Sequence, residues 1–157
     1  MANPDGKRPR FDVVYDKRNI INVVAAQTLK EDDSGSLVSF NVAAGVTVTL
    51  PAGAQNGTFY DFVVETTVTS VADKVITAAG TELLVGQITG SDTDTGNATI
   101  SWPSLVGTSN IAVTMNGTTT GGIKGDSFRM TKINSTTWLV NGAVNNNGTV
   151  ATPFATS

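Results

Sequence analysis

Residues 125–142, GDSFRMTKINSTTWLVNG, decide the fold because they hold two alternating runs joined by a turn. In the first run Phe128 and Met130 share one face with Lys132, while Arg129 and Thr131 occupy the other, the period of a half-buried strand. Asn-Ser-Thr-Thr then turns the chain, and Trp138 returns at a position equivalent to the apolar ones. The segment therefore predicts a β-hairpin with one face in the core.

The same pattern of short apolar runs and turn residues fills most of the chain. LVSFNV, VTVTL before Pro51, TFYDFVVE and KVITAAG before Gly80 are typical strands, and ELLVGQI is a short strand broken by Gly86. We count roughly nine or ten strands, with turn signals at the spacing of a sandwich or barrel. The sequence thus predicts an all-β fold, a single β-sandwich or barrel domain, with a core centred on Phe59 or Phe62, Phe128 and Trp138.

Composition argues against catalysis. The chain of 157 residues has no Cys and no His, which removes thiolate metal sites and the usual general base. Only 15% of the residues are charged, against about 25% in an average soluble protein. Pairs such as Asp61 and Glu65 have a spacing that arises by chance. We expect a protein that is not an enzyme and needs no cofactor.

One loop deserves a separate test as a metal site. In SDTDTGN, the residues Asp92, Asp94 and Asn97 alternate as calcium ligands do. The glycine of an EF-hand loop stands at the sixth position, whereas Gly96 is the fifth, and Pro103 occupies the place of the bidentate Glu. An exposed polar turn is the better interpretation, so we expect no metal site.

The N-terminal residues 1–28 are predicted to be an extended basic arm. Although the net charge is −3, six of the ten basic residues fall in the first thirty positions, and they are Lys7, Arg8, Arg10, Lys17, Arg18 and Lys30. Basic arms bind acidic surfaces or nucleic acid. The apolar residues Phe11, Val13 and Tyr15 could add to a sheet edge or contact a partner. No apolar run is long enough to cross a membrane, and no apolar segment follows the basic residues as in a signal peptide.

Taken together, several segments resemble small β-rich structural proteins of tailed bacteriophages, above all head decoration (cement) proteins. They are residues 29–64, KVITAAG and the 125–142 hairpin: a Thr-rich strand ending in Leu-Pro-Ala, a glycine loop, an aromatic strand and a late Gly-Asp strand before a Trp strand. The resemblance spans roughly residues 29–142, the predicted domain. The basic arm lies outside it.

The resemblance implies a non-enzymatic virion protein that binds the outside of a phage capsid and stabilises contacts between capsid subunits. Its expected partners are the major capsid protein and copies of itself, most often in a homotrimer, and its expected location is the capsid surface. The C-terminal residues 143–157 would then be a reaching tail, with Val150 and Phe154 as apolar anchors on a neighbouring subunit.

Two other classes remain open. A trimeric phage fibre or adhesion module that binds host-surface glycans would need an exposed aromatic side chain, and Trp102 beside the Asp92–Asn97 loop is the candidate. A nucleic-acid binder could use the basic arm, but the rest of the chain is acidic and has no Arg-rich aromatic platform, which argues against this class.

Overall fold

The protein is all-β, as the alternation predicts. The computed structural model describes residues 17–78, 82–94 and 98–157, and within them twelve strands form two mixed sheets and a 3-10 turn forms at Glu31–Asp33. The larger sheet contains seven strands: β1 Ile20–Val23, β3 Leu37–Phe40, β5 Phe59–Val64, β7 Leu83–Asp92, β8 Thr99–Ser104, β10 Ser127–Asn134 and β11 Thr137–Asn146. The smaller sheet contains five: β2 Gln27–Thr28, β4 Thr47–Thr49, β6 Asp73–Ile76, β9 Ala112–Met115 and β12 Phe154–Ala155.

The 125–142 segment forms the predicted hairpin at the centre of the larger sheet. Strands β10 and β11 pair antiparallel, with Phe128 opposite Gly142 and Lys132 opposite Trp138. The order across this sheet is β1-β3-β5-β10-β11-β7-β8, and the β1, β3 and β5 strands and the β11 and β7 strands pair in parallel. The hairpin thus joins strands β1, β3 and β5 on one side to strands β7 and β8 on the other.

One cluster of buried residues, drawn from both sheets, forms the core. Phe62, Phe128 and Trp138 are buried, and the Phe62 and Phe128 rings stack with their centroids 4.9 Å apart. Tyr60 lies 6.3 Å from Trp138, centroid to centroid. Of the two alternatives on β5, Phe62 is the core residue, because Phe59 points to the opposite face and stays half-buried.

Strand β7 differs from the sequence prediction, since it runs through Gly86 and continues to Asp92. Gly86 has a φ of 122°, and a Cβ atom there would overlap the carbonyl oxygen of Val140 on the paired strand β11. Glycine therefore permits the strand to continue where any side chain would push its neighbour away.

Both ends of the chain contribute strands to the domain, so the predicted boundaries of arm and tail change. Strand β1 pairs with β3, and the two-residue strand β2 pairs with β4, although both lie before residue 29. At the other end β11 extends to Asn146, and β12 pairs with β9. Two-residue strands carry no alternation, which is why the sequence yields nine or ten strands where the structure has twelve.

Candidate docking surface

Strand β1 is an open edge of the larger sheet. In the described part of the chain it pairs on one side only, with β3, so its other side presents backbone N–H and C=O groups without a strand partner. The opposite edge, β8, contains Pro103 opposite Gln87, and a proline has no N–H to give to a further strand. Of the two edges, β1 is therefore the better acceptor for another strand.

Beside this edge lies an apolar depression on the outer face of the sheet, here called the trough. It consists of two connected hollows, of about 520 Å³ over strands β3, β5, β10 and β11 and about 300 Å³ beside β1, which share Leu37 and Val63. Ile20 lies at the β1 end and Ala143 at the other. The trough thus continues from the open edge to the middle of the sheet.

The depth of the trough comes from small side chains in register. Ser127 of β10 lies opposite Val63 of β5 on one side and opposite Ala143 of β11 on the other. These side chains share the outer face, because residues directly opposite each other on neighbouring strands point the same way. Ser127 and Ala143 are both small, so the sheet surface is low beside Val63. The hollow extends from there to the next row of outward-facing residues, Asp61, Arg129 and Asn141.

This row of residues contains a charged cluster, in which Asp61 binds Arg129 and Arg18. Arg129 binds the Asp61 carboxylate through both Nε and Nη2, at 2.6 and 2.7 Å, and Arg18 pairs with the same carboxylate. The hydrogen bond from Arg129, together with the Arg18 contacts, lowers the pKa of Asp61 although partial burial opposes the shift. Arg129 also lies over the Phe59 ring, 4.8 Å from its centroid.

Arg18 fixes the point at which the N-terminal segment meets this surface. Its Nε donates a hydrogen bond of 2.7 Å to the carbonyl oxygen of Gly35, and Asn19 O accepts one from Leu37 N. Lys17 precedes it on the exposed surface, and exposed Lys124 lines the hollow beside β1. Arg18 therefore lies at the margin of the trough, through its contact with Asp61.

The predicted binding residues divide into three groups. Arg18 lies at the trough margin through Asp61, and Lys17 is exposed next to it in the sequence. Outside the described residues lie the other predicted arm contacts, which stay predictions: Lys7, Arg8, Arg10, Phe11, Val13 and Tyr15.

The third group, the two tail residues, corrects the expectation of a reaching tail. Phe154 has only 7% of its surface exposed and belongs to the core, and its strand pairs with β9 through Val113. Val150 is half-buried in the connection between β11 and β12. In this conformation Phe154 stabilises its own domain by burying its aromatic ring in the core, and it is not exposed for contact with a neighbouring subunit.

Sequence reasoning missed the trough residues Leu37, Val63 and Ala143. A signal for two of them was available, since LVSF and FVV place apolar residues on both faces of strands β3 and β5. A strand with one wet face should alternate, so an apolar outer position indicates either cover or a contact surface. That Ala143 lies beside Val63 and Ser127 follows only from the strand order.

The larger sheet also contains a buried ion pair, between Lys132 of β10 and Glu82. The Lys132 side chain is 0% exposed, and its Nζ lies 2.6 Å from Glu82 Oε1 and 3.3 Å from the carbonyl oxygen of Ser135. Trp138 Nε1 donates to the other Glu82 oxygen at 2.7 Å, and Lys132 Nζ lies 5.2 Å from the centroid of the Trp138 ring. Each charge has a partner, so this cluster is a structural element of the core.

Two further carboxylates, Asp126 and Asp73, are buried, and neither forms an ion pair within the described residues. Asp126 accepts hydrogen bonds from the backbone N–H groups of Gly122, Ile123 and Asn145, and burial raises its pKa against the effect of these bonds. Asp73 Oδ1 accepts one from Val46 N at 3.0 Å, and burial raises the pKa of Asp73 to about 6. Asp126 thus ties residues 121–125, which contain three glycines, to β11.

The Asp92 loop and Trp102 were the candidates for the alternative interpretations. Asp92 Oδ1 accepts a hydrogen bond from Asp94 N, and Asp94 Oδ2 accepts one from Gly148 N, while Asn97 lies outside the described residues. No group of three or more acidic side chains in the described part of the chain is arranged to hold a metal ion. Trp102 is half-buried, with its ring over Gly90, where a Cβ atom would overlap it.

Comparisons of the chain with protein-family models, curated proteins and solved structures returned no match. Within the described residues, no helix is long and apolar enough to span a membrane.

Proposed function

We propose that this chain is a non-enzymatic structural protein of a bacteriophage virion, which binds the outside of the capsid and stabilises contacts between capsid subunits. The observation that carries the proposal is the combination at one place of an open strand edge, an apolar trough and the entry point of a basic segment. The resemblance of residues 29–142 to decoration proteins supports a capsid protein as the partner.

The open edge and the trough suit an extended segment of a capsid subunit. A strand added to β1 would gain main-chain hydrogen bonds, which are independent of sequence, and apolar side chains on one of its faces would reach the trough. Ile20 is 63% exposed at the junction of edge and trough and would be covered by such a strand. Apolar burial there would supply most of the affinity, at about 25 cal/mol per Å² of covered surface.

The basic residues direct this surface towards an acidic partner. Lys124 is exposed and lines the trough, Lys17 is exposed next to Arg18, and Lys7, Arg8 and Arg10 precede them in the sequence. Each exposed ion pair contributes only about 0.2–1 kcal/mol. Charge should therefore speed the encounter and add a modest salt dependence, while the trough and the β1 edge hold the complex.

The homotrimer and the sandwich architecture belong to the same proposal. One core cluster with residues of both sheets supports two sheets packed face to face.

A contact between copies could form at the β8 edge. Leu105 and Val106 are 61% and 93% exposed after β8, at the end of the sheet remote from β1. They offer an apolar contact between copies that leaves the β1 edge free for the capsid.

Co-sedimentation with capsids tests the proposal. The capsids come from the phage whose genome carries this sequence and are assembled without this protein. The full chain should sediment with them, and deletion of residues 1–16 should weaken the binding, because the basic arm is lost, and leave the domain folded. Failure of the full chain to sediment would refute capsid binding. Full binding by the truncated chain would show that residues 1–16 do not contribute to it.

A matched pair of substitutions tests the trough itself. Ile20 and Val71 are similarly exposed, at 63% and 67%, but only Ile20 lines the trough. Ile20→Gln should weaken capsid binding several-fold, whereas Val71→Gln should leave it unchanged. Equal effects of the two variants would place the contact elsewhere on the domain.

A further inference from the structure

The sequence contains four Asn-Gly pairs, Asn56-Gly57, Asn116-Gly117, Asn141-Gly142 and Asn147-Gly148. Such pairs are the usual sites of spontaneous deamidation, because glycine has no side chain to hinder the reaction. The backbone nitrogen of the glycine attacks the Asn side-chain carbonyl carbon, a C–N bond forms and ammonia leaves. Water then opens the succinimide ring to Asp or isoAsp. The reaction needs a glycine nitrogen that is free to move towards the side chain.

Every one of these glycine nitrogens is restrained. Gly57 N donates to the carbonyl oxygen of Lys132 at 2.8 Å, and Gly117 N donates to that of Gly121 at 2.7 Å. Gly142 lies within β11, which is paired on both sides with β10 and β7. Gly148 N donates to Asp94 Oδ2 at 2.7 Å.

The fourth restraint differs in kind from the others. The acceptors of Gly57 and Gly117 are backbone carbonyls, and Gly142 is held by a sheet, whereas Gly148 is held by a carboxylate from a separate loop. Asn147 and Gly148 are also exposed and lie outside the strands. By comparison Asn116 has an additional restraint, since its own Oδ1 accepts hydrogen bonds from Thr118 N and Thr120 N.

We propose that Asn147 is a latent deamidation site, and that the Asp94 carboxylate protects it by binding the N–H group of Gly148. Opening of this one contact frees the nucleophile, and it requires no disruption of either sheet. The inference is independent of capsid binding. It makes Asp94 a positioning residue for chemical durability, a property that a long-lived assembly requires.

The test follows deamidation of the purified full-length protein in mildly alkaline buffer by peptide mapping, which separates Asp and isoAsp products at each site. Asp94→Ala should speed the conversion of Asn147 about tenfold or more, the factor that corresponds to loss of a charge-assisted hydrogen bond of ordinary strength. Asp94→Asn keeps an acceptor oxygen and should give a smaller increase.

The other pairs serve as internal controls for unfolding. In the proposal, Asn56 and Asn116 convert at the wild-type rate in both variants, since their restraints do not involve Asp94. A parallel rise at all sites would show that the substitution loosened the whole domain, and it would overturn the proposal. So would an unchanged rate at Asn147 in Asp94→Ala, or a wild-type protein in which Asn147 already converts fastest.

Discussion

Two acid–base clusters of the larger sheet have similar chemistry but opposite environments. On the outer face, Asp61 binds Arg129 and Arg18, whose side chains are 53% and 41% exposed. Glu82 binds Lys132 in the interior, where the lysine side chain is 0% exposed. Both carboxylates have close cationic partners, so the two clusters differ mainly in access to water.

The comparison shows that a short distance between two charged groups does not by itself tell how much their ion pair contributes to the free energy of unfolding. In water both partners of a broken pair are solvated, so an exposed pair contributes about 0.2–1 kcal/mol. Inside the protein a charge left without its partner keeps its full desolvation penalty, so breaking a buried pair costs about 3–5 kcal/mol. The buried pair therefore tolerates far less change, while the exposed pair is free to serve recognition.

The largest expected effect is that of Glu82→Gln. The amide has nearly the shape of the carboxylate and keeps an acceptor for Trp138 Nε1, but it leaves the Lys132 ammonium buried without a counter-charge. The free energy of unfolding, from chemical denaturation, should fall by about 3–5 kcal/mol.

A second substitution separates charge from shape in this experiment. In Glu82→Gln/Lys132→Met both charges are gone and the volume is similar, so most of the lost stability should return. A single variant that loses less than about 1 kcal/mol would mean that Lys132 reaches water, in the manner of the exposed cluster.

A buried carboxylate without a cation extends the comparison through its dependence on pH. Burial raises the pKa of Asp73 from 3.8 to about 6, so the folded state favours the protonated form more than the unfolded state does. The stability that Asp73 contributes is therefore present below about pH 4 and is lost as the pH rises through about 6, by roughly 3 kcal/mol in total.

Asp73→Asn isolates this contribution, because the variant has no titrating group at this position and keeps an oxygen for Val46 N. Denaturation curves across this pH range should show a steeper loss of stability for the wild type than for the variant. Parallel pH profiles would mean that Asp73 titrates at its usual pKa and is hydrated.

The smallest effect is expected for Arg129→Ala on the outer face. The variant should lose at most about 1 kcal/mol of stability, and added salt should shrink the difference. The pKa of Asp61 should rise towards its usual value, since the hydrogen bond from Arg129 is the main cause of its decrease. Titration followed by NMR checks the pKa, and a large loss of stability would contradict the distinction between the two clusters.

For the candidate docking surface, the sequence predicted basic contact residues but not the apolar trough. The concentration of basic residues led to the prediction that Lys17 and Arg18 bind a partner, and this stays a prediction. Arg18 binds Asp61, which lines the trough, and Lys17 precedes it on the exposed surface. Neither Asp61 as the partner of Arg18 nor the small pair Ser127 and Ala143 was foreseen. These neighbours come from strands far apart in the chain, and a local pattern holds no information on which strands become adjacent.

The sequence by itself determined the elements: β-strands throughout, the 125–142 hairpin, and the inner face that holds Phe62, Phe128 and Trp138. It could do so because side chains alternate with a period of two along a strand. Only the tertiary structure decided that the strands form two mixed sheets, that β1 is an open edge and that Phe154 returns to the core. The reason is that pairing between distant strands depends on the whole set of competing partners, and a buried position for Phe154 exists only after the two sheets have assembled.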